Sequence, residues 1–169
     1  MSCVSETAAH FFSGEDMEKI LRQGFAELGI EAPDRAADEL RVYFEELEEK
    51  NRVMNLTAIS GEEAVARLHF LDCAAMLRHL DLRDKRVIDV GTGAGFPGMV
   101  LKILVPSAEL TLLDALNKRI AFLEAVLSEL GLSGRCVHMR AEDAGKSPLH
   151  SEKYDYALTR EVAPLPVLQ

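Results

Sequence analysis

Apolar residues recur at helical spacing through the first part of the chain. Met17, Ile20, Leu21, Phe25 and Leu28 stand at i, i+3, i+4, i+8 and i+11, with Ser13 as a polar start, Glu15 and Asp16 in the first turn and Gly29 as a stop. A second helix is expected after Asp34, whose carboxylate suits the free N–H groups of a helix start. It carries Ala36, Leu40, Phe44, Leu47 and Met54 on one face, and its acidic run from Glu45 to Glu49 falls on the solvated side. Ser60-Gly-Glu-Glu63 has the form of a capping box and predicts a third helical stretch towards Leu80.

At Arg86 the period changes. Val87-Ile-Asp-Val90 is a short β-branched run that ends in Gly91-Thr-Gly-Ala-Gly-Phe-Pro-Gly98, which predicts a buried strand running into a glycine loop. Pro97 suits the first turn of a helix, and Met99, Val100, Ile103 and Leu104 give that helix its apolar stripe. Strands are expected at 110–114, 136–139 and 154–158, with a helix over 117–130 and a further helix starting near Pro164. Strand alternating with helix is the α/β signature of a parallel, Rossmann-like sheet. The expected division is a helical cap over 1–60 and a Rossmann-like domain over 61–169, with polar turns at 29–33 and 144–153.

Composition narrows the class. The 169 residues are 48% hydrophobic and 28% charged, enough apolar side chain for a core, and no apolar run approaches the roughly 20 residues of a membrane span. The first residues lack the basic and apolar regions of a signal peptide, so a cytoplasmic location is expected. Cys3, Cys73 and Cys136 are odd in number and widely spaced, which predicts reduced structural thiols and no metal site. The net charge of −9 is concentrated early: residues 1–50 hold 5 Lys and Arg against 13 Asp and Glu, and residues 51–169 hold 14 against 15. Such a chain is a poor non-specific nucleic-acid binder, so an RNA role requires a local basic face on the near-neutral part.

A glycine-rich turn between a buried strand and a helix lets a ligand or another backbone approach closely, and the site is expected at the carboxyl ends of the strands. Two frames compete. Gly91-x-Gly93-x-Gly95 has methyltransferase spacing, whereas Gly93-x-Gly95-x-x-Gly98 satisfies the dinucleotide pattern. Asp89, inside the strand, can orient the loop or pair with an ammonium; the methionine part of S-adenosylmethionine has that ammonium and a nicotinamide cofactor does not. Asp114, 23 positions beyond Gly91, stands where an acid accepts the hydrogen bonds of a ribose diol, and its plainer alternative is loop or helix capping. Arg140-Ala-Glu-Asp143 follows the third strand, either beside the place of an adenine or as a helix N-terminus with acidic residues in its first turn, and Arg160 follows the fourth strand at the same edge of the sheet. His69 and Asp72 share a helical face as a structural pair, His138 reads as a partly buried strand residue, and Gly145-Lys-Ser147 reads as a loop and not a P-loop.

Together these residues resemble the bacterial small-subunit ribosomal RNA guanine-N7 methyltransferase family, also called glucose-inhibited division protein B. The resemblance runs from about Asn51 to Leu168. It is carried by Met54-Asn-Leu-Thr-Ala58, Leu68-His-Phe-Leu-Asp72, the run from Val87 to Gly98, Leu113-Asp-Ala-Leu-Asn-Lys-Arg-Ile120, Arg140-Ala-Glu142 and Arg160-Glu-Val-Ala163. It implies an S-adenosylmethionine-dependent class I methyltransferase fold, with cofactor contacts from Gly91, Phe96, Ala141, Glu142 and Arg160, and ribose binding by Asp114. Gly93 and Gly95 join Asp89 around the cofactor's approach path, and Arg140, Lys118 and Arg119 are the candidates for RNA phosphates, with a plain helix-surface role as the favoured alternative for Lys118 and Arg119.

The implied reaction is methyl transfer to N7 of a guanine in 16S ribosomal RNA, free or in the small subunit, and no catalytic base is assigned because N7 has its own lone pair. Cys73 and Glu161 depart from the family's usual serine and alanine. A complete sheet of this class has seven strands and four are counted here. The expectation is therefore a chain truncated after strand four, with an open sheet edge prone to self-association. The alternatives are a non-catalytic module that binds cofactor or a partner and, less favoured, a nicotinamide-dependent dehydrogenase.

Overall fold

The computed structural model describes residues 14–160. Two long helices come first, α1 (Gly14–Leu28) and α2 (Ala36–Met54), each stopped by a residue in the left-handed region, Gly29 after α1 and Asn55 after α2. The helical stretch α3 spans 62–78 in mixed register: an α turn (Glu62–Val65), a π-helical segment (Ala66–Leu71), a short α turn (Asp72–Ala74) and a final 3-10 turn (Ala75–Arg78).

Neither expected cap forms. Arg35 occupies the cap position of α2 without a capping side chain, and its guanidinium pairs with Glu39 at 2.6 Å. The cap position of α3 falls on Gly61, one residue beyond Ser60, with its amide donating to Glu48 of α2 at 3.2 Å, and Glu63 pairs with Arg67, so the Ser60 and Glu63 box does not form.

The remainder alternates β1 (Arg86–Val90), α4 (Gly98–Leu104), β2 (Glu109–Asp114), α5 (Asn117–Leu130), β3 (Arg135–His138), α6 (Ala141–Lys146) and β4 (Tyr156–Leu158). All pairings are parallel and the order is β3-β2-β1-β4, with Val90 beside Leu113 and Asp114 beside His138. Gly145 and Lys146, expected in a loop, close α6, a helix of six residues. His138, expected to be partly buried, is exposed, and its Nε2 donates to the carbonyl of Ala115 at 2.9 Å. Cys3, Glu161 and the helix expected near Pro164 lie outside the described residues.

One face of the sheet carries the larger core. Met17, Leu21, Leu40, Leu47 and Phe70 of the first three helices pack in one cluster with Met99 and Ile103 of α4, Phe122 and Leu123 of α5, and Val87, Leu110 and Leu112 of the strands. Strand alternation sends Ile88 and Leu113 to the other face, where they meet Ala144 of α6. Between these layers the carboxyl ends of β1 and β2 stand side by side, and the glycine loop leaves from β1 there. Among the described residues no helix is long and apolar enough to cross a membrane.

Candidate active site

The loop after β1 is held at several points along its length. Gly91 and Thr92 donate their amides to the carbonyl of Leu113 at 2.8 and 3.0 Å, and Gly93 donates to Oδ2 of Asp114 at 2.9 Å. Asp89 is wholly buried beneath the loop. Its Oδ2 accepts from the Thr92 hydroxyl at 2.7 Å and the Gly98 amide at 2.8 Å, tying the two ends of the turn together. Its Oδ1 is buried with no protein partner, and burial pushes the carboxyl up to about 7, with Thr92, Gly98 and neighbouring Asp114 as smaller influences. Oδ2 thus orients the loop, one of the two roles expected of Asp89, while Oδ1 makes no hydrogen bond to the protein.

Asp114 is 3% exposed and uses both oxygens: Oδ2 for Gly93 and, at 3.5 Å, Arg119, and Oδ1 for the Leu116 amide at 2.9 Å. A carboxylate has about four acceptor positions, so with three in use about one, on Oδ1, remains for a ligand.

Two hollows open at this edge. One, of about 340 Å³, runs from Gly91 past Asp114, Leu116 and Arg119 to Arg140, Ala141 and Glu142. The other, of about 260 Å³, lies between the segment 55–58 and the loop, with His69, Gly93, Phe96, Arg119 and Arg160 on its walls. Gly91 and Arg119 belong to both, so the hollows adjoin. Gly95, on the inner side of the loop, and Asp89 beneath it line neither, and Lys118 is exposed on α5 outside both.

The second hollow has a polar and aromatic wall in which the expected Phe96 and Arg160 are joined by Thr57 and His69. Asn51 of α2 donates to the carbonyl of Thr57 at 3.0 Å and accepts its amide at 2.9 Å, which pins the segment 55–58. Thr57 Oγ1 lies 2.8 Å from His69 Nε2, and the His69 ring stacks on Phe96 with centroids 4.2 Å apart. Arg160 gathers several groups at once: Asp72 at 3.0 Å, the Leu68 carbonyl at 3.0 Å, Cys73 Sγ at 3.2 Å and His69 Nδ1 at 3.4 Å, with its guanidinium 6.0 Å from the Phe96 ring centre. His69 and Asp72 thus both reach Arg160. Cys73 is buried and its thiol is pushed up to about 12, so it stays protonated beside the guanidinium. Asn51 and Tyr43, a buried residue of α2 beneath the loop, were not expected at the site; the one signal was a polar or amphipathic residue on an otherwise apolar helix face.

Comparison with known proteins places this geometry among methyltransferases. Residues 36–169 match the family model described as rRNA small subunit methyltransferase G. A ribosomal RNA small subunit methyltransferase G from Alkaliphilus metalliredigens is 48% identical over 155 residues, and one from Alkaliphilus oremlandii 50%. Both alignments cover 90% of this chain and 65% of the relative, so the chain spans about two thirds of the length of these relatives. Among solved structures, a protein-L-isoaspartate O-methyltransferase aligns with a TM-score of 0.54 at 17% identity, covering 87% of this chain and 47% of its own. A Plasmodium falciparum protein assigned to the same activity, in complex with S-adenosyl-L-homocysteine, aligns at 0.52 and 14% identity, covering 88% of this chain and 76% of its own. At these identities the likeness is one of fold, the Rossmann-like class I methyltransferase fold with β3-β2-β1-β4 as its first four strands.

Proposed function

The chain belongs to the rRNA small subunit methyltransferase G family, and on that premise we propose that it transfers a methyl group from S-adenosylmethionine to N7 of a guanine in 16S ribosomal RNA, in the cytoplasm. The observation that carries this reading is the pair of adjoining hollows sharing Gly91 and Arg119 at the carboxyl ends of β1 and β2. The donor set fits the cofactor. Asp114 has an acceptor position left for a ribose hydroxyl, Ala141 and Glu142 line the side proposed for the adenine, and beyond its chain neighbours no atom stands within 4 Å of where a Cβ on Gly93 would be, which leaves room against the loop backbone. Asp89 serves by shaping the loop. When bound, S-adenosylmethionine supplies a methyl group activated by its sulfonium.

Guanine N7 carries an in-plane lone pair outside the aromatic sextet, so no side chain is required to remove a proton. The work of the chain is to hold, orient and shield the reactants. Phe96 and His69 give the second hollow an aromatic wall, and Arg160, already tied to Asp72 and the Leu68 carbonyl, gives it a fixed cationic rim. Arg119 and Arg140 line the first hollow and Lys118 is exposed beside Arg119 on α5; these three supply the cations for RNA phosphates in this reading. Self-association through the outer edge of β4, a strand end of the described sheet, is part of the same reading and would be measured by sedimentation.

Titration with S-adenosylmethionine, with NAD as control, followed by methyl transfer to small-subunit RNA and digestion to nucleosides, tests the proposal. Selective binding and 7-methylguanosine are expected. Binding of neither cofactor overturns the site, and binding without transfer assigns the chain as a non-catalytic module.

A further inference from the structure

Tyr43 lies on α2, wholly buried, with its ring stacked on Phe70 at 5.5 Å and tilted against Phe96 and Phe122 at 5.8 and 6.5 Å. A phenol taken fully out of water needs a partner for its hydroxyl. Its partner is the carbonyl of Ala94, in the middle of the glycine loop and 51 positions along the chain. Burial also pushes the phenol well above its ordinary range, so it remains a donor at any working pH.

The contact falls where the loop has least freedom to compensate. Gly95, the next residue, holds φ +105°, and a Cβ there would stand 2.9 Å from Leu123 Cδ2 and 3.0 Å from Met99 Cβ, as well as against the Tyr43 hydroxyl. The loop is therefore fixed from three directions. Asp89 draws its ends together, Asp114 takes the Gly93 amide from the β2 side, and Tyr43 takes the Ala94 carbonyl from below. The first two anchors belong to the sheet, and the third comes from the N-terminal helices. If the Ala94 peptide rotated, both the carbonyl and the phenol would lose a buried partner, while the wall of the second hollow, which includes Gly93 and Ala94, would change shape.

We propose that Tyr43 is a positioning residue for the cofactor: through its single hydrogen bond to the Ala94 carbonyl, the helix α2 sets the orientation in which the glycine loop meets the methionine end of S-adenosylmethionine. The inference rests on the cofactor reading above and extends it to a helix that lines neither hollow through this residue.

The test compares Tyr43→Phe with Leu47→Ala in the full chain. The first keeps the ring and its stacking, and the second removes buried core volume one turn further along the same helix. Two readouts are taken, S-adenosylmethionine affinity by calorimetry and amide exchange at 94–96. In Tyr43→Phe, affinity is expected to fall about tenfold, the scale of one lost buried hydrogen bond, and the loop amides to exchange faster. Leu47→Ala should lower the melting temperature and leave affinity near that of the parent. Equal binding by Tyr43→Phe and the parent, or an equal loss in both variants, overturns the proposal. If the parent binds no S-adenosylmethionine, the functional reading fails; faster exchange at 94–96 in Tyr43→Phe would then still support the strut, and unchanged exchange would overturn it.

Discussion

The backbone amide of Gly93 donates to the carboxylate of Asp114 at 2.9 Å, so the loop that follows β1 is braced against the end of β2. The acid proposed to hold the ribose is therefore also the acid that shapes the loop.

Gly93 holds φ +59°, in the left-handed region, with open space where a Cβ would go. Alanine there meets torsional strain on the order of 1–2 kcal/mol and little else. Valine adds a branched side chain that fills the hollow. Gly93→Val is expected to fold, by circular dichroism, and to lose S-adenosylmethionine binding, whereas Gly93→Ala should keep a weakened affinity. Parent-like affinity in Gly93→Val would remove the loop from the site.

Asp89 carries a pH signature. Its folded carboxyl is raised to about 7 from the ordinary 3.8, chiefly by burial. Between those values the folded chain holds a proton that the unfolded chain has released, so this group's contribution favours the fold at the acid end and is lost as pH rises from about 4 to about 7. An asparagine keeps one oxygen for Thr92 and Gly98 and does not titrate. Thermal melts at about pH 5 and about pH 8 should show the parent losing stability relative to Asp89→Asn on the alkaline side. A constant difference across that range would mean that Asp89 is ionised throughout.

How much of this was legible in advance depended on whether the signal was local. The helix at Asn117–Leu130 and the strand at β1 followed from periodicity and β-branching, because each element's own residues decide its state. The π-helical register within α3 left no trace, since apolar spacing reads nearly the same over six residues in either register. The helix α6 was half legible: Glu142 and Asp143 fit a first turn, one of the two readings of that segment, but six residues including Gly145 show no period that would carry it to Lys146. At the site, Asp89, Asp114 and the glycines stood out by position in a strand-loop-helix unit. Tyr43 did not, because a buried tyrosine reads as core and its hydroxyl partner lies 51 residues away.

Arg160 is held by a fork that a lysine cannot copy. Its guanidinium reaches the Asp72 carboxylate, the Leu68 carbonyl and Cys73 Sγ together, from one planar group with several donors. Arg160→Lys keeps the charge and loses the simultaneous contacts, so cofactor affinity is expected to fall by about tenfold, the scale of one or two charge-assisted hydrogen bonds. Cys73→Ser places a stronger acceptor beside the same guanidinium and should leave affinity unchanged or raised. A serine variant that binds as poorly as Arg160→Lys would show that the wall depends on the thiol's size and not on the Arg160 fork.

Lys118 and Arg119 are neighbours on α5 with different surroundings, and that difference separates RNA binding from cofactor binding. Lys118 is exposed and lines neither hollow, whereas Arg119 stands at the junction of both, 3.5 Å from Asp114. Lys118→Glu should weaken binding of small-subunit RNA and lower the slope of log affinity against log salt by about 0.7–0.9 for one lost phosphate contact, with S-adenosylmethionine affinity unchanged. Arg119→Glu should lose affinity for both, since it also sets a carboxylate beside Asp114 at the shared edge. If Lys118→Glu leaves the salt slope as it was, α5 does not face the RNA through this residue and Arg140 becomes the leading phosphate contact; if it alters cofactor affinity, Lys118 does not stand apart from the cofactor site.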